Sequence, residues 1–135
     1  MIVDTSALLA FFDADEPAHV RVSAAILATT EPLVVSPFVV AETDYLIAGR
    51  RGVVTELAVL RELAGGAWEL PEFGAADLAR AADVVDRYAG QAIGVADASI
   101  VVLAARYRTR TVATLDRRHF DVLRPLAGGR FTIVP

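Results

Sequence analysis

The sequence predicts a three-layer α/β/α domain built on a parallel sheet of about five strands. Its short apolar runs show no polar–apolar alternation, which is typical of strands that are buried on both faces. Longer segments of helical periodicity separate these runs, and strands joined by helices are normally parallel. The 135 residues contain no repeat, linker or low-complexity segment. Residues 1–135 are therefore expected to form a single domain around one core.

The chain opens with a short strand followed by two helices. Ile2 and Val3 form an apolar run that ends at Asp4. The next segment is predicted to be a helix because its apolar residues recur at helical spacing, at Ala7, Leu8, Phe11 and Phe12. A second helix is expected to begin near Pro17.

The clearest boundary in the sequence follows the apolar run at 33–35, which is the second predicted strand. Ser36 provides an N-cap and Pro37 occupies the first helical position, a combination that marks the start of a helix. This helix is expected to run from about 37 to 48 and to end at Gly49.

The remaining elements continue the alternation of helices and strands. Helices are predicted over about 53–64, 75–89 and 95–107, and strands at 67–70, 111–115 and 131–134. The segment 95–107 is apolar almost all round from Ile100 to Ala105, so this helix is expected to be central and buried.

The composition excludes several classes of protein. The apolar fraction of 55% excludes a disordered chain, yet no stretch reaches the ~20 apolar residues that span a bilayer. The apolar surplus indicates an interface with a partner or with a second copy of the chain. No secretory signal precedes the first strand, so a cytoplasmic location is expected. The absence of Cys excludes disulfides and thiolate sites, and the absence of Lys excludes a P-loop lysine, a Schiff base and a phospho-receiver site.

The charge is distributed unevenly along the chain. The formal net charge is −4, and every basic residue is an arginine. Seven arginines and two acidic residues fall within residues 106–135. This basic C-terminal segment could contact a polyanion, although solvated surface is an equal alternative for most of its arginines.

Two carboxylates follow predicted strands directly. Asp4 ends the first strand and Asp116 follows the strand at 111–115. Ligands of open parallel sheets bind at the carboxyl ends of the strands, which is where both residues are expected. Each could instead simply cap the helix that follows it.

Two further carboxylates are predicted to lie on helix faces that become buried. Asp97 shares a face with Ile100, Val101 and Ala104, and Glu42 has no arginine at helical spacing. Burial of an unpaired carboxylate costs on the order of several kcal/mol of folding free energy. A nearby cation or access to water must therefore compensate for this cost. For Glu42, a solvated helix face remains the alternative.

Four carboxylates gathered at one sheet edge, in a chain with two His and no Cys, predict a hard divalent cation bound through oxygen. Mg²⁺ or Mn²⁺ fits this donor set better than Zn²⁺. Ions held in this way activate water and stabilise a phosphoryl centre, so phosphodiester hydrolysis is the predicted reaction.

Four segments of the chain resemble the PIN domain, and specifically the VapC toxins of bacterial type II toxin–antitoxin systems. In order, they are IVDTSALLAFFD at the N-terminus, SPFVVAE, GVADASIVVLAARY, and VATLDRRHF followed by LRP. Together they cover essentially the whole chain.

The resemblance implies a PIN-like fold and a Mg²⁺- or Mn²⁺-dependent endoribonuclease that acts on RNA, with tRNA and rRNA as the plausible substrates. The acidic quartet of the family, which ligates the metal and is catalytic, falls on Asp4, Glu42, Asp97 and Asp116. Asp116 could ligate the metal directly or through a water molecule. Ser6 and Thr114 match polar residues that hydrogen-bond to the ligands without contacting the metal.

The resemblance also implies partners. A VapB-type antitoxin would neutralise the toxin by laying a segment along an apolar groove and sending a basic side chain into the acidic pocket. The toxin would form a homodimer, and with antitoxin a heterotetramer or a higher complex, without a membrane partner. The groove is expected somewhere within residues 5–65.

Three residues that follow Asp116 also have candidate roles. Arg117 and Arg118 are the candidate contacts to RNA because they adjoin Asp116. His119 is expected to pack beside Phe120 rather than to act as an acid or base. The alternative function is a catalytically weak, PIN-like binding protein whose acidic pocket mainly receives a basic peptide.

Overall fold

Four short parallel strands and six α-helices make up the computed structural model, which describes residues 1–135. In chain order the elements are β1 (Ile2–Val3), α1 (Thr5–Phe12), α2 (His19–Ala28), β2 (Val34–Val35), α3 (Pro37–Leu63), α4 (Ala75–Arg87), α5 (Val95–Arg106), β3 (Thr111–Ala113), α6 (Arg117–Phe120) and β4 (Thr132–Val134). A single 3₁₀ turn, Ala89–Gln91, lies between α4 and α5.

The strands form one parallel sheet in the order β2-β1-β3-β4. β1 and β3 are central, and Val3 pairs with Ala113. Ile2 and Val3 point to opposite faces of the sheet, and both are fully buried, so both faces are covered. The predicted α/β fold with a parallel sheet is confirmed.

Helix α5 is the central helix of the core. Its residues from Ala98 to Ala104 are all buried, and the helix packs against β1, α3 and α4. A helix enclosed in this way can be apolar on every side, as its sequence indicated. No helix in the chain is both long enough and apolar enough to cross a bilayer.

The prediction of about five strands was one too many, because the segment 67–70 does not form a strand. Only Glu69 joins the sheet: its N–H donates to the Leu33 carbonyl at 2.8 Å, and its own carbonyl accepts from the Val35 N–H at 2.9 Å. Gly66 precedes this segment with φ +93°, and Pro71 follows it. The turn at Gly66 and the missing N–H of Pro71 bound the segment on either side, and one bridge forms between them.

The helix predicted to end at Gly49 continues to Arg51. The break falls at Gly52, where φ is 78° and ψ is 172°, a combination open essentially to glycine alone. Gly49 has ordinary helical geometry, because glycine permits a helix end without requiring one. Sequence position therefore could not decide between the two glycines.

Two buried hydroxyls join the helices α3 and α5. Ser36 caps α3 by accepting from the Phe38 N–H at 3.3 Å, as predicted. The same Ser36 Oγ lies 2.6 Å from the Ser99 Oγ, and both residues are fully buried. The helices that carry Glu42 and Asp97 are therefore fixed to each other near their N-termini.

The amino ends of β1 and β3 are joined by the carboxylate of Glu31. It accepts hydrogen bonds from the Met1 amino group at 2.7 Å, from the Thr109 hydroxyl at 2.6 Å and from the Thr111 hydroxyl at 2.9 Å. These bonds, with that of the Met1 ammonium the strongest, lower the pKa of Glu31 to about 2.

Candidate active site

The parallel pairing of β1 and β3 places Asp4 beside Thr114 at the carboxyl end of the sheet. Val3 pairs with Ala113, and the Asp4 N–H donates to the Ala113 carbonyl at 2.9 Å. The residue that follows each strand thus lies at one edge, as parallel topology requires.

The Asp4 carboxylate is held by two hydroxyls rather than used as a helix cap. Ser6 and Thr114 each donate to Asp4 Oδ2 at 2.7 Å, and Asp4 caps α1 with no side-chain hydrogen bond. The residue is only 7% exposed, so these bonds compensate for much of the hydration it has lost.

Ser6 and Thr114 also hold the loop that follows β3. The Leu115 N–H donates to the Ser6 Oγ at 2.9 Å, and the Asp116 N–H donates to the Thr114 Oγ1 at 3.0 Å. Each hydroxyl therefore donates to Asp4 and accepts from the backbone that carries Asp116. Together they position two of the candidate carboxylates relative to each other.

Helix α3 brings Glu42 to the same edge. The Thr5 hydroxyl donates to Glu42 Oε2 at 2.6 Å, which joins the start of α1 to α3. Thr5 was not predicted to be a site residue. Its position directly after Asp4 was the available signal, but the identity of its partner depends on how α3 packs.

Asp97 lies in the first turn of α5 and faces the cleft. Its carboxylate accepts weakly from the Gly94 N–H at 3.4 Å. Burial raises the pKa of Asp97, and the negative charges of Asp4 and Asp116 raise it further, while His119 opposes the shift. The carboxylates are therefore close enough to repel one another.

Asp116 combines a capping role with a place in the cleft. It caps α6 by accepting from the Arg118 N–H at 3.1 Å, so the capping alternative is correct for this residue. The Arg118 side chain, 86% exposed, approaches its carboxylate to 3.6 Å.

The expectation that His119 packs beside Phe120 is wrong. Its imidazole Nδ1 lies 3.1 Å from Asp97 Oδ2 and 3.5 Å from Asp116 Oδ2. The single turn of α6 sends successive side chains in different directions, so that Phe120 enters the core and His119 lines the cleft. This turn was not predicted from the sequence, and the direction of His119 depends on it.

These side chains line one open cleft of about 410 Å³. All four predicted carboxylates border it, together with Thr5, Ser6 and His119. Thr114 is buried behind Asp4.

The donor set fits a hard divalent cation. The cleft presents carboxylate oxygens whose mutual repulsion a cation would relieve, as the raised pKa of Asp97 indicates. No three His, Asp or Glu side chains are already arranged to hold a metal ion.

The profile of the PIN domain matches residues 1–124. The chain belongs to the PIN-domain family. Ribonuclease VapC26 of Mycobacterium tuberculosis is 65% identical to this PIN domain over 135 residues, covering 100% of both chains. This relative confirms the predicted VapC-type identity and supports the ribonuclease class.

Two solved structures share this fold. The M. tuberculosis VapC20 structure, a sarcin–ricin loop cleaving toxin, has a TM-score of 0.85 at 17% identity, covering 99% of this chain and 98% of that chain. FitAcB from Neisseria gonorrhoeae has a TM-score of 0.60 at 22% identity, covering 89% of this chain and 90% of that chain.

The two candidate RNA contacts of this PIN domain lie on the rim of the cleft. Arg117 and Arg118 are both exposed and border a shallow groove with Ser6, Leu115 and Asp116. Their guanidinium groups are thus available to a ligand that extends out of the cleft.

Proposed function

We propose that this chain is a Mg²⁺- or Mn²⁺-dependent endoribonuclease whose metal-ligating and catalytic carboxylates are Asp4, Glu42, Asp97 and Asp116. One observation carries the proposal. The buried Asp4 is fixed by two hydroxyls in a cleft where the negative charges of Asp97 and Asp116 converge with its own. The ribonuclease name of the relative that is 65% identical supports the same reaction.

The carboxylates and the hydroxyls that hold them have different roles in the proposed hydrolysis. Bound to the carboxylates, Mg²⁺ or Mn²⁺ supplies the Lewis acidity that activates water and stabilises the phosphoryl oxygens. Ser6 and Thr114 hold Asp4 in one orientation, and Thr5 does the same for Glu42. Fixed ligands avoid the loss of side-chain freedom that metal binding would otherwise cost.

The proposed substrate is a structured RNA, either tRNA or rRNA. The sarcin–ricin loop cleaved by VapC20 supports a substrate of this class. Arg117 and Arg118, next to Asp116, are proposed to contact phosphates beside the bond that is cleaved.

The proposed partners are a VapB-type antitoxin and a second copy of the chain. Large apolar side chains exposed within residues 5–65 support an antitoxin groove there: Val20, Leu27, Tyr45, Val53, Val54 and Leu57. A further apolar depression of about 460 Å³ is lined mostly by α4 and supports self-association. Light scattering of the chain alone and with coexpressed antitoxin checks for the dimer and for the heterotetramer or higher complex.

RNA cleavage with and without EDTA tests the proposed function. We expect cleavage with Mg²⁺ or Mn²⁺, none after chelation, and loss of activity in Asp4→Asn and Asp97→Asn. Asp83→Asn, which changes an exposed carboxylate of α4 that borders neither the cleft nor the apolar depression, is the matched control and should cleave like the wild type. Activity that survives EDTA, or that both cleft variants retain, contradicts the proposal.

The binding-protein alternative makes a different prediction for cells. If the cleft only receives a basic peptide, expression without the partner is harmless. For a ribonuclease, expression without antitoxin is toxic, and Asp97→Asn abolishes the toxicity.

A further inference from the structure

A second concave surface lies near the acidic cleft and is lined by three arginines. We call it the arginine pocket: Arg117, Arg124 and Arg130, together with Asp121 and apolar side chains, enclose about 160 Å³. Arg117 begins α6, Arg124 follows that helix, and Arg130 directly precedes the segment that enters β4. Three separate parts of the basic C-terminal segment therefore converge on one place.

The arginines of this pocket have no carboxylate partner. None of them has a carboxylate oxygen within 4.0 Å, although Asp121 lines the same pocket. Elsewhere, Arg51 binds Asp13 through two guanidinium nitrogens. The arginine pocket thus keeps an excess of two positive charges in a chain whose net charge is −4. A concentration of unpaired cations in a concave site favours an anionic ligand.

Arg124 is held in place before any ligand arrives. Its Nη1 donates to the carbonyls of Asp121, Val122 and Leu123 at 2.8, 2.8 and 2.9 Å. Its Nε and Nη2 make no hydrogen bond within the chain. A guanidinium that is already oriented, with donors to spare, loses little conformational freedom when it binds a phosphate.

The pocket is connected to the acidic cleft by the shallow groove that Leu115 and Arg118 border. The cleft and the groove share Ser6 and Asp116, and the groove and the arginine pocket share Arg117. The three depressions therefore adjoin one another in the order acidic cleft, groove and arginine pocket. The charge of their lining changes from negative in the cleft, where a metal would bind, to positive in the arginine pocket.

We propose that the arginine pocket binds a backbone phosphate of the RNA, on one side of the phosphodiester that occupies the acidic cleft. This inference rests on the proposed ribonuclease function. Guanidinium groups bind phosphate through paired hydrogen bonds, which position a nucleic acid without reading its sequence. The aromatic rings beside the pocket, Phe120 and Phe131, are 2% and 8% exposed, so they offer no face on which a base could stack.

RNA binding by arginine variants tests the inference. Arg117→Gln, Arg130→Gln and the double variant are compared with the wild type, using anisotropy of a fluorescent single-stranded RNA in EDTA between about 50 and 200 mM KCl. The matched control is Arg87→Gln, an exposed arginine of α4 that lines neither the cleft, the groove nor the pocket. Arg124 is left intact because its bonds to the backbone also support the fold.

Each single variant should weaken binding about threefold to tenfold and reduce the slope of log K against log[salt] by about 0.7, because one phosphate contact is lost. The double variant should lose both increments, while Arg87→Gln keeps the affinity and slope of the wild type. Circular dichroism verifies that every variant is folded.

The outcomes separate this inference from the proposed function. If the double variant binds RNA as the wild type does, the arginine pocket has another ligand, such as an acidic protein segment, and the inference is overturned. If RNA binds through these arginines but no RNA is cleaved with Mg²⁺ or Mn²⁺, the proposed function fails and the pocket assignment stands. If the wild type binds no RNA, the pocket assignment is overturned, and the cleavage assay alone decides the proposed function.

Discussion

The imidazole Nδ1 of His119 lies 3.1 Å from Asp97 Oδ2, inside the carboxylate cleft. Asp116 lies 3.5 Å from the same nitrogen, so the ring stands between two carboxylates of the candidate metal site. His119 is the one imidazole among the side chains that line the cleft. The electrostatics of Asp97 therefore depend on a residue from the far end of the chain.

Replacing Asp97 with Asn should stabilise the metal-free protein at neutral pH. Burial and the neighbouring carboxylates raise the pKa of Asp97, so its ionised form is less favourable in the folded than in the unfolded state. A raised carboxyl pKa gives stability that is present below the unfolded value of 3.8 and is lost as pH rises through the folded value. In EDTA we expect the melting temperature of Asp97→Asn to exceed that of the wild type by about 1–4 °C at pH 7.

This advantage should vanish as the pH falls below 3.8, where Asp97 is protonated in both the folded and the unfolded state. Asp83→Asn on the surface of α4 is the control and should melt like the wild type at each pH. A lower melting temperature for Asp97→Asn at neutral pH contradicts the prediction.

Addition of Mn²⁺ or Mg²⁺ should stabilise the wild type against heat. An ion that binds only the folded state adds about 2.7 kcal/mol at a concentration one hundred times its dissociation constant. We expect differential scanning fluorimetry to show a concentration-dependent rise in melting temperature that Asp97→Asn largely removes and Asp83→Asn retains. Equal shifts in the two variants would place the ion outside the cleft.

Thr114→Val should reduce both stability and activity. The variant has nearly the same shape but loses the bond to Asp4 and leaves the Asp116 N–H without its acceptor. The expected cost is about 1–3 kcal/mol of unfolding free energy and about a 10- to 100-fold loss of cleavage rate. Urea unfolding and a cleavage assay measure the two effects. Thr132→Val, at an exposed position of β4, is the control that should change neither.

Glu31→Gln should destabilise the fold in a pH-dependent way. The pKa of Glu31 is lowered to about 2 by its bonds to the Met1 amino group and two threonine hydroxyls. A lowered pKa gives stability that is fully present above the unfolded value of 4.5 and is lost as pH falls through about 2. Since the side chain is 40% exposed, we expect a loss on the order of 1–2 kcal/mol at pH 7.

Urea unfolding at several pH values checks this window, because the difference between Glu31→Gln and the wild type should shrink below pH 4.5. Glu62→Gln, an exposed glutamate of α3 that forms no ion pair, is the control. A difference that stays constant across this range would show that the charge of Glu31 contributes nothing.

The two glycines of α3 should respond oppositely to alanine. Gly49 is helical and has open space where a Cβ would lie, so Gly49→Ala should stabilise the fold by about 0.4–1 kcal/mol. Gly52 has the same open space but a φ of +78°, so Gly52→Ala should cost about 1–3 kcal/mol. Chemical denaturation of the two variants compares them, and a stabilising Gly52→Ala would contradict the assigned break.

The sequence predicted those features that depend on local chemistry. Ser36 and Pro37 mark the start of α3, and the apolar surface of α5 indicates that this helix is central. The place of Asp4 at the carboxyl edge follows from parallel topology, because Asp4 comes directly after β1. Each of these predictions used information within a few residues of the position concerned.

Features that depend on long-range packing could not be predicted. His119 enters the cleft because one helical turn after β3 rotates it away from Phe120. Arg117 and Arg130 line the same arginine pocket, although the segment that leads to β4 separates them in the sequence. No spacing rule connects such residues, since the path of the intervening chain decides their distance.

The strand β1 contains only two residues, and polar side chains clamp both of its ends to β3. Glu31 joins them at one end, and Ser6 and Thr114 hold Asp4 at the other. A strand of this length has few backbone bonds to resist sliding by one residue, and such a slip would turn its side chains to the opposite face. The two clamps therefore act as alignment pins. Loss of the Glu31 hydrogen bonds, at the end of β1 far from the cleft, can therefore displace Asp4, although Glu31 contacts neither RNA nor metal.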